Sequence, residues 1–200
     1  MKLSKGMKIA AVVGVLLLMV IGWVVGGYNG MVTQRNKADQ AAAQLDSAYQ
    51  RRFDLVPNLV ESVKGAQIQE QKVFGELAKA RTKYAGASTA EDRLQSAGQY
   101  ESALGRLLVV VENYPQLESN KTVQNLMIQL EGTENRVKVE RDNYSAAVTQ
   151  YNTTIQKFPK NMLAGIFGFD KKVLYEAETG AEVAPKVNFT ENQAAPNTAQ

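Results

Sequence analysis

Between Ser119 and Phe158 apolar residues recur at alternating steps of four and three, so that Val123, Met127, Leu130, Val137, Tyr144, Val148, Tyr151, Ile155 and Phe158 fall on one stripe, interrupted by Glu134 and Arg141. Only a helix puts such steps on one face, and only a helix packed along its length sustains them over this distance. The stretch has no breaker but Gly132 before Pro159, which predicts a helix capped by Ser119 or Asn120 and ending near Lys157. Three further stripes precede it. Val32, Arg35, Ala38, Ala42, Leu45 and Tyr49 form the first; Leu59, Val63, Ala66, Glu70, Val73, Leu77, Ala80 and Tyr84 the second; Leu94, Ala97, Glu101, Leu104, Leu108 and Val111 the third. Pro57 is tolerated in a first helical turn, so Asp54 as N-cap with Pro57 just inside opens the second helix; the competing reading is one long helix kinked at Pro57. Gly86 closes the second helix, Ser88 with Glu91 makes a capping box for the third, and Tyr114-Pro115 ends it. The expected fold is all-α: an antiparallel up-and-down four-helix bundle of long helices over residues 28–158, following an N-terminal transmembrane helix.

From Ile9 to Val25 every residue is apolar or glycine, and no charge appears until Arg35. With slight tilt, residues 9–27 cross a hydrocarbon core of about 30 Å. Trp23 and Tyr28 sit at the far end, where amphipathic rings prefer the headgroup layer. Residues 1–8 carry Lys2, Lys5 and Lys8, which would also suit a cleaved signal peptide, but no A-x-A-like site follows the apolar run, which favours an uncleaved anchor. Weighing these lysines against Arg35 and Lys37 puts the N-terminus in the cytoplasm and the body outside it, on a single-pass protein of the inner membrane. Gly22, Gly26 and Gly30 recur at steps of four and would let a second copy approach closely; glycine is also simply common in such helices.

After Pro159 the chain is expected to form an apolar and basic segment over 159–179, too short to span, and a disordered tail over 180–200. Four antiparallel helices that start at the membrane bring the last one back to it. Ile166, Phe167 and Phe169 would then dip into the interface while Lys171 and Lys172 meet anionic lipid, joining Trp23 and Tyr28 as membrane-interface candidates. The competing reading makes these apolar residues a cap on the open end of the bundle.

Composition narrows the chemistry. The chain has no cysteine and no histidine, which removes disulfides, thiol nucleophiles, Ser-His relays and the usual zinc ligands. Its net charge of +3 is dispersed along the helices, so nucleic acid is not an expected partner. Glu70, Glu101 and Glu134 interrupt three stripes and, counted from the turns, stand at one height. Carboxylates gathered between helices resemble the start of a di-iron site, but such sites also need histidine. The layer is therefore read as structural, with Arg141 neutralising it and fixing register. No catalytic, cofactor-binding or metal residue is assigned and no cofactor is expected. The alternative is a ligand- or metal-binding sensor or enzyme working through that layer.

The motifs taken together resemble a known family. Tyr28-Asn29, Arg51-Arg52-x-Asp54-Leu55-x-Pro57-Asn58-Leu59-Val60 with Val63-Lys64-Gly65, Tyr114-Pro115-x-Leu117, Glu131-x-x-Glu134-Asn135-Arg136, Tyr144, Tyr151-Asn152, Phe158-Pro159 and Gly168-Phe169 resemble, in this order, the LemA family of bacterial membrane proteins. Ser145 departs from the Tyr-Asn pairing seen at Tyr151-Asn152. The resemblance implies a membrane helix followed by a helical bundle, no catalytic residues, and a relative tied to building an organelle membrane in magnetosome bacteria. Bilayer and an unidentified protein partner are the expected contacts of a non-enzymatic interaction or scaffold protein.

Overall fold

The computed structural model describes residues 5–66 and 70–175; the tail over 180–200 lies outside them. Six helices follow in order among the described residues: α1 Lys5–Gly65, α2 Gln71–Gly86, α3 Ala90–Asn113, α4 Pro115–Glu118, α5 Lys121–Gln156 and α6 Lys160–Phe167. This corrects the expectation of a span followed by a four-helix bundle. The span and the first body helix are a single helix of 61 residues that runs through Pro57.

Burial explains why Pro57 does not break it. A proline inside a helix costs about 3 kcal/mol through a lost backbone bond and a ring clash. Tyr49, Phe53, Val56, Leu59 and Val63, on either side of it, are all buried to 3% exposure or less. Burying each such side chain contributes about 1.5–3 kcal/mol, so the packing of this face outweighs the proline. The expected second helix, by contrast, is cut. Its stripe carries only Ala66 and Glu70 between Val63 and Val73, and α1 ends at Gly65 while α2 begins at Gln71.

α1 and α5 form a long antiparallel pair whose register is fixed by Arg52 against Glu134 at mid-length and by α6 against Gly27 at the membrane end. α2 and α3 make a hairpin that covers the far part of this pair, its turn lying at Asp46, which accepts from Tyr84 and Arg93. Thr89, one residue later than expected, caps α3 by accepting from the Asp92 amide at 3.0 Å. Asn120 caps α5 through the Thr122 and Val123 amides. Tyr49, Phe53, Tyr84 and Tyr100 meet stacked, tilted or edge-on at centroid distances of 4.3–6.0 Å, welding hairpin to pair.

Gly168 closes α6 with φ +68°, a left-handed conformation that favours glycine, and the Phe169 amide bonds the Ala164 carbonyl. The chain then turns back along α5, away from the membrane end. Tyr151 donates to the Asp170 carbonyl, Asn152 brackets Lys172 through its amide and carbonyl, and Tyr144 donates to the Val173 carbonyl, all at 2.8–2.9 Å. Residues 169–175 are thus strapped to the near half of the long pair.

Candidate functional site

Arg52 is the centre of the polar layer. It projects from the buried face of α1 with 6% of its side chain exposed, pairs with Glu134 of α5, and stands 3.8 Å from Glu101 of α3. Glu101 also accepts from the buried Tyr49 hydroxyl at 2.9 Å and lies 3.8 Å from Arg141. Arg141 in turn donates to the Tyr175 hydroxyl at 3.0 Å, which ties the strap into the same network. Two guanidinium groups therefore balance two carboxylates. Burial pushes the Tyr49 hydroxyl well above the usual tyrosine range, and the neighbouring Glu101 carboxylate pushes it further, so Tyr49 remains a donor. The Tyr100 hydroxyl, also raised by burial, has no hydrogen-bond partner among the described residues, nor have Arg52 Nε and Nη1.

Among the described residues no group of three or more acidic side chains could hold a metal ion. A groove of about 860 Å³ opens between α1 and α5, but it is bordered by residues such as Gln44, Ser47, Arg51, Gly132 and Arg136, not by Arg52 or Glu101.

The membrane end is built differently. α6 lies against α1 where the apolar run gives out: Leu163 meets Gly27, Lys160 reaches Gly30, and Phe167 packs edge-on to Tyr28 at 5.0 Å. Leu163, Ala164 and Phe169 face inward and are buried, Phe169 between Tyr28 and the Arg35 guanidinium. Met162 and Ile166, one turn apart on α6, face outward at 61% and 73% exposure, and Phe158, in the turn ahead of the helix, is 80% exposed. The outer face of α1 from Ile9 to Val25 is exposed and apolar along its whole length.

The LemA family model matches residues 41–189. The chain belongs to the LemA family. This LemA chain is 28% identical over 181 residues to magnetosome protein MamQ 1 and to MamQ 2 of Paramagnetospirillum magneticum, matches that cover 78% of it and 66% of either relative. It is 22% identical over 141 residues to protein LemA of Metamycoplasma hominis, covering 70% of it and 64% of that protein. The chain thus spans about two thirds of the length of these curated relatives. With one helix among the described residues long and apolar enough to cross a bilayer, the LemA chain is a single-pass, membrane-anchored helical protein.

In this LemA chain the four residues read as one polar layer are not together. Glu101 and Arg141 adjoin, and Glu134, half exposed, joins them only through Arg52. Glu70 is at the N-cap of α2, about 20 Å along that helix from Tyr84. Lys83 faces Gln99 and Glu76 faces Arg106, so α2 and α3 pair about a point near residue 91, and Glu70 is level with the end of α3. Of the interface candidates, Trp23, Tyr28, Ile166, Phe167 and Lys171 are exposed, whereas Phe169 is core and Lys172 pairs with Asp39 at 2.6 Å. Gly22 and Gly26 have no atom within 4 Å of a notional Cβ, while Gly30 faces Lys160 at 3.7 Å. Sequence reading missed Arg52 and also Glu140, 4% exposed and paired with Arg136 at 2.8 Å. Extending the first stripe by three from Tyr49 would have reached Arg52.

Proposed function

We propose that the protein is a non-enzymatic scaffold of the inner membrane: a stiff helical post, N-terminus cytoplasmic, whose body stands outside the cytoplasm and holds a protein partner at a fixed place on the bilayer. The observation that carries this reading is the unbroken passage of α1 from the span into the body, which leaves no joint between anchor and bundle. A charge-balanced polar layer agrees with a structural use of its charges. The lysines ahead of Ile9 support the outward orientation, and the open face at Gly22 and Gly26 leaves room for a second copy along the span. Protease added to intact spheroplasts should remove the body and spare it in intact cells; full protection in spheroplasts overturns the orientation. Photocrosslinking residues placed at exposed positions of α2 and α3 in the native membrane should give a discrete protein adduct. Labelled positions that yield none across the whole body overturn the scaffold reading.

A further inference from the structure

We propose that α6 is a second membrane contact, an interfacial helix that lays Met162 and Ile166, together with Phe158 in the turn just ahead of it, into the headgroup boundary of anionic bilayers. These three large apolar side chains have no cover from the described residues. They are continuous with a surface that lipid already covers, because α6 is docked on Gly27 and Tyr28 at the end of the exposed apolar face of α1. The depth agrees. Starting from Lys8 and rising 1.5 Å per residue, about 30 Å of hydrocarbon ends near Tyr28, the level at which α6 lies across α1. The inward face of α6 already caps the pair through Leu163, Ala164 and Phe169, so the outward residues contribute nothing to that closure.

Charge selects the lipid. Lys157, Lys160, Lys171 and Lys172 surround these side chains, against Asp170 alone between Lys157 and Tyr175. Lys172 is taken by Asp39, whereas Lys157, Lys160 and Lys171 form no ion pair among the described residues. A helix with bulky apolar residues on one side and basic side chains at its margins matches a surface of negative headgroups over acyl chains. The inference holds whichever side of the membrane the body occupies.

The chain has no cysteine, so Met162→Cys and Ile166→Cys each give the full chain one site for a nitroxide, with Ser119→Cys at the distal turn as an aqueous reference. Both positions on α6 are exposed, and circular dichroism confirms that the labelled chains keep their helices. In nanodiscs of phosphatidylcholine containing phosphatidylglycerol, labels at 162 and 166 should be accessible to oxygen and shielded from a polar nickel chelate, the reverse of 119. In phosphatidylcholine alone, or with Lys157, Lys160 and Lys171 all changed to Gln, nickel accessibility at 162 and 166 should rise several-fold. Water-like accessibility at both positions in the anionic discs overturns the contact, and so does shielding from both reagents, which marks a protein cover. Values indifferent to lipid charge and to the lysine changes overturn the selection of anionic headgroups.

Discussion

Leu163 Cδ1 lies 2.9 Å from the point where a Cβ on Gly27 would stand. That approach is closer than carbon atoms tolerate, so a side chain at 27 must displace the end of the Leu163 side chain, and a branched one also crowds the seat of α6. Gly27→Val should therefore dislodge α6 and leave the distal helices folded. Amide exchange would show it: protection lost over 160–168 and kept over α3. The control is Gly26→Val, where no atom lies within 4 Å and protection should be unchanged.

Arg52 and Arg141 both face Glu101, but they differ in burial, with 6% and 26% of their side chains exposed. Replacing Arg52 by Met leaves Glu101 and Glu134 without their shared counter-ion and should destabilise the body by about 2–4 kcal/mol, moderated because Glu134 is half hydrated. Arg141→Met should cost about 1 kcal/mol. Denaturant melts that rank the two variants in the opposite order would assign the neutralising role to Arg141.

The strap hangs on side chains of α5. Asn152→Ala removes two hydrogen bonds to Lys172, and Tyr151→Phe removes one to Asp170, at about 1 kcal/mol for each bond. The double variant should raise proteolysis within residues 170–175 by one to two orders of magnitude, about the factor that 2–3 kcal/mol implies for an opening equilibrium. Cleavage at an unchanged rate would mean that Phe169 and the remaining contacts through Tyr144, Arg141 and Asp39 keep the strap closed.

Alkali should unfold the body. Burial raises the hydroxyls of Tyr49, Tyr84 and Tyr100, with Glu101 adding to the shift at Tyr49 and Asp46 at Tyr84. An unfolded tyrosine ionises near pH 10. A folded value above the unfolded one contributes stability that is complete below about pH 10 and is lost as the pH rises toward the folded value. The denaturant midpoint should stay level to about pH 9.5 and fall beyond it, and Tyr84→Phe should make the fall shallower.

Much of α5 was legible because one long apolar row leaves few choices: Val123, Leu130, Val137, Tyr144, Val148, Tyr151 and Ile155 are all buried, while Phe158 at its end is exposed. Pro57 hid the rest. Taken as the opening of a new helix, it cut the first stripe at Tyr49 and kept Arg52, Val56, Leu59 and Val63 from being read as its continuation, although the energy of that buried row exceeds the cost of the proline. Glu70 was misplaced because height was counted from Gly86, whereas the hairpin pairs about a point five residues later. The strap leaves no periodic trace at all. Tyr144, Tyr151 and Asn152 read as ordinary members or neighbours of a helical row, and their bonds to residues 170–173 depend on where the chain returns after Gly168.

An unjointed α1 also makes the protein a lever. From Tyr28 to Gly65 the helix extends about 57 Å beyond the bilayer, and whatever leans the span leans all of it. A membrane thin enough to add 10° of tilt would sweep the far hairpin sideways by about 10 Å. On a body that stands clear of the bilayer, a change in its thickness, a property of lipid composition, would become a change in the lateral position of a protein surface far from any lipid.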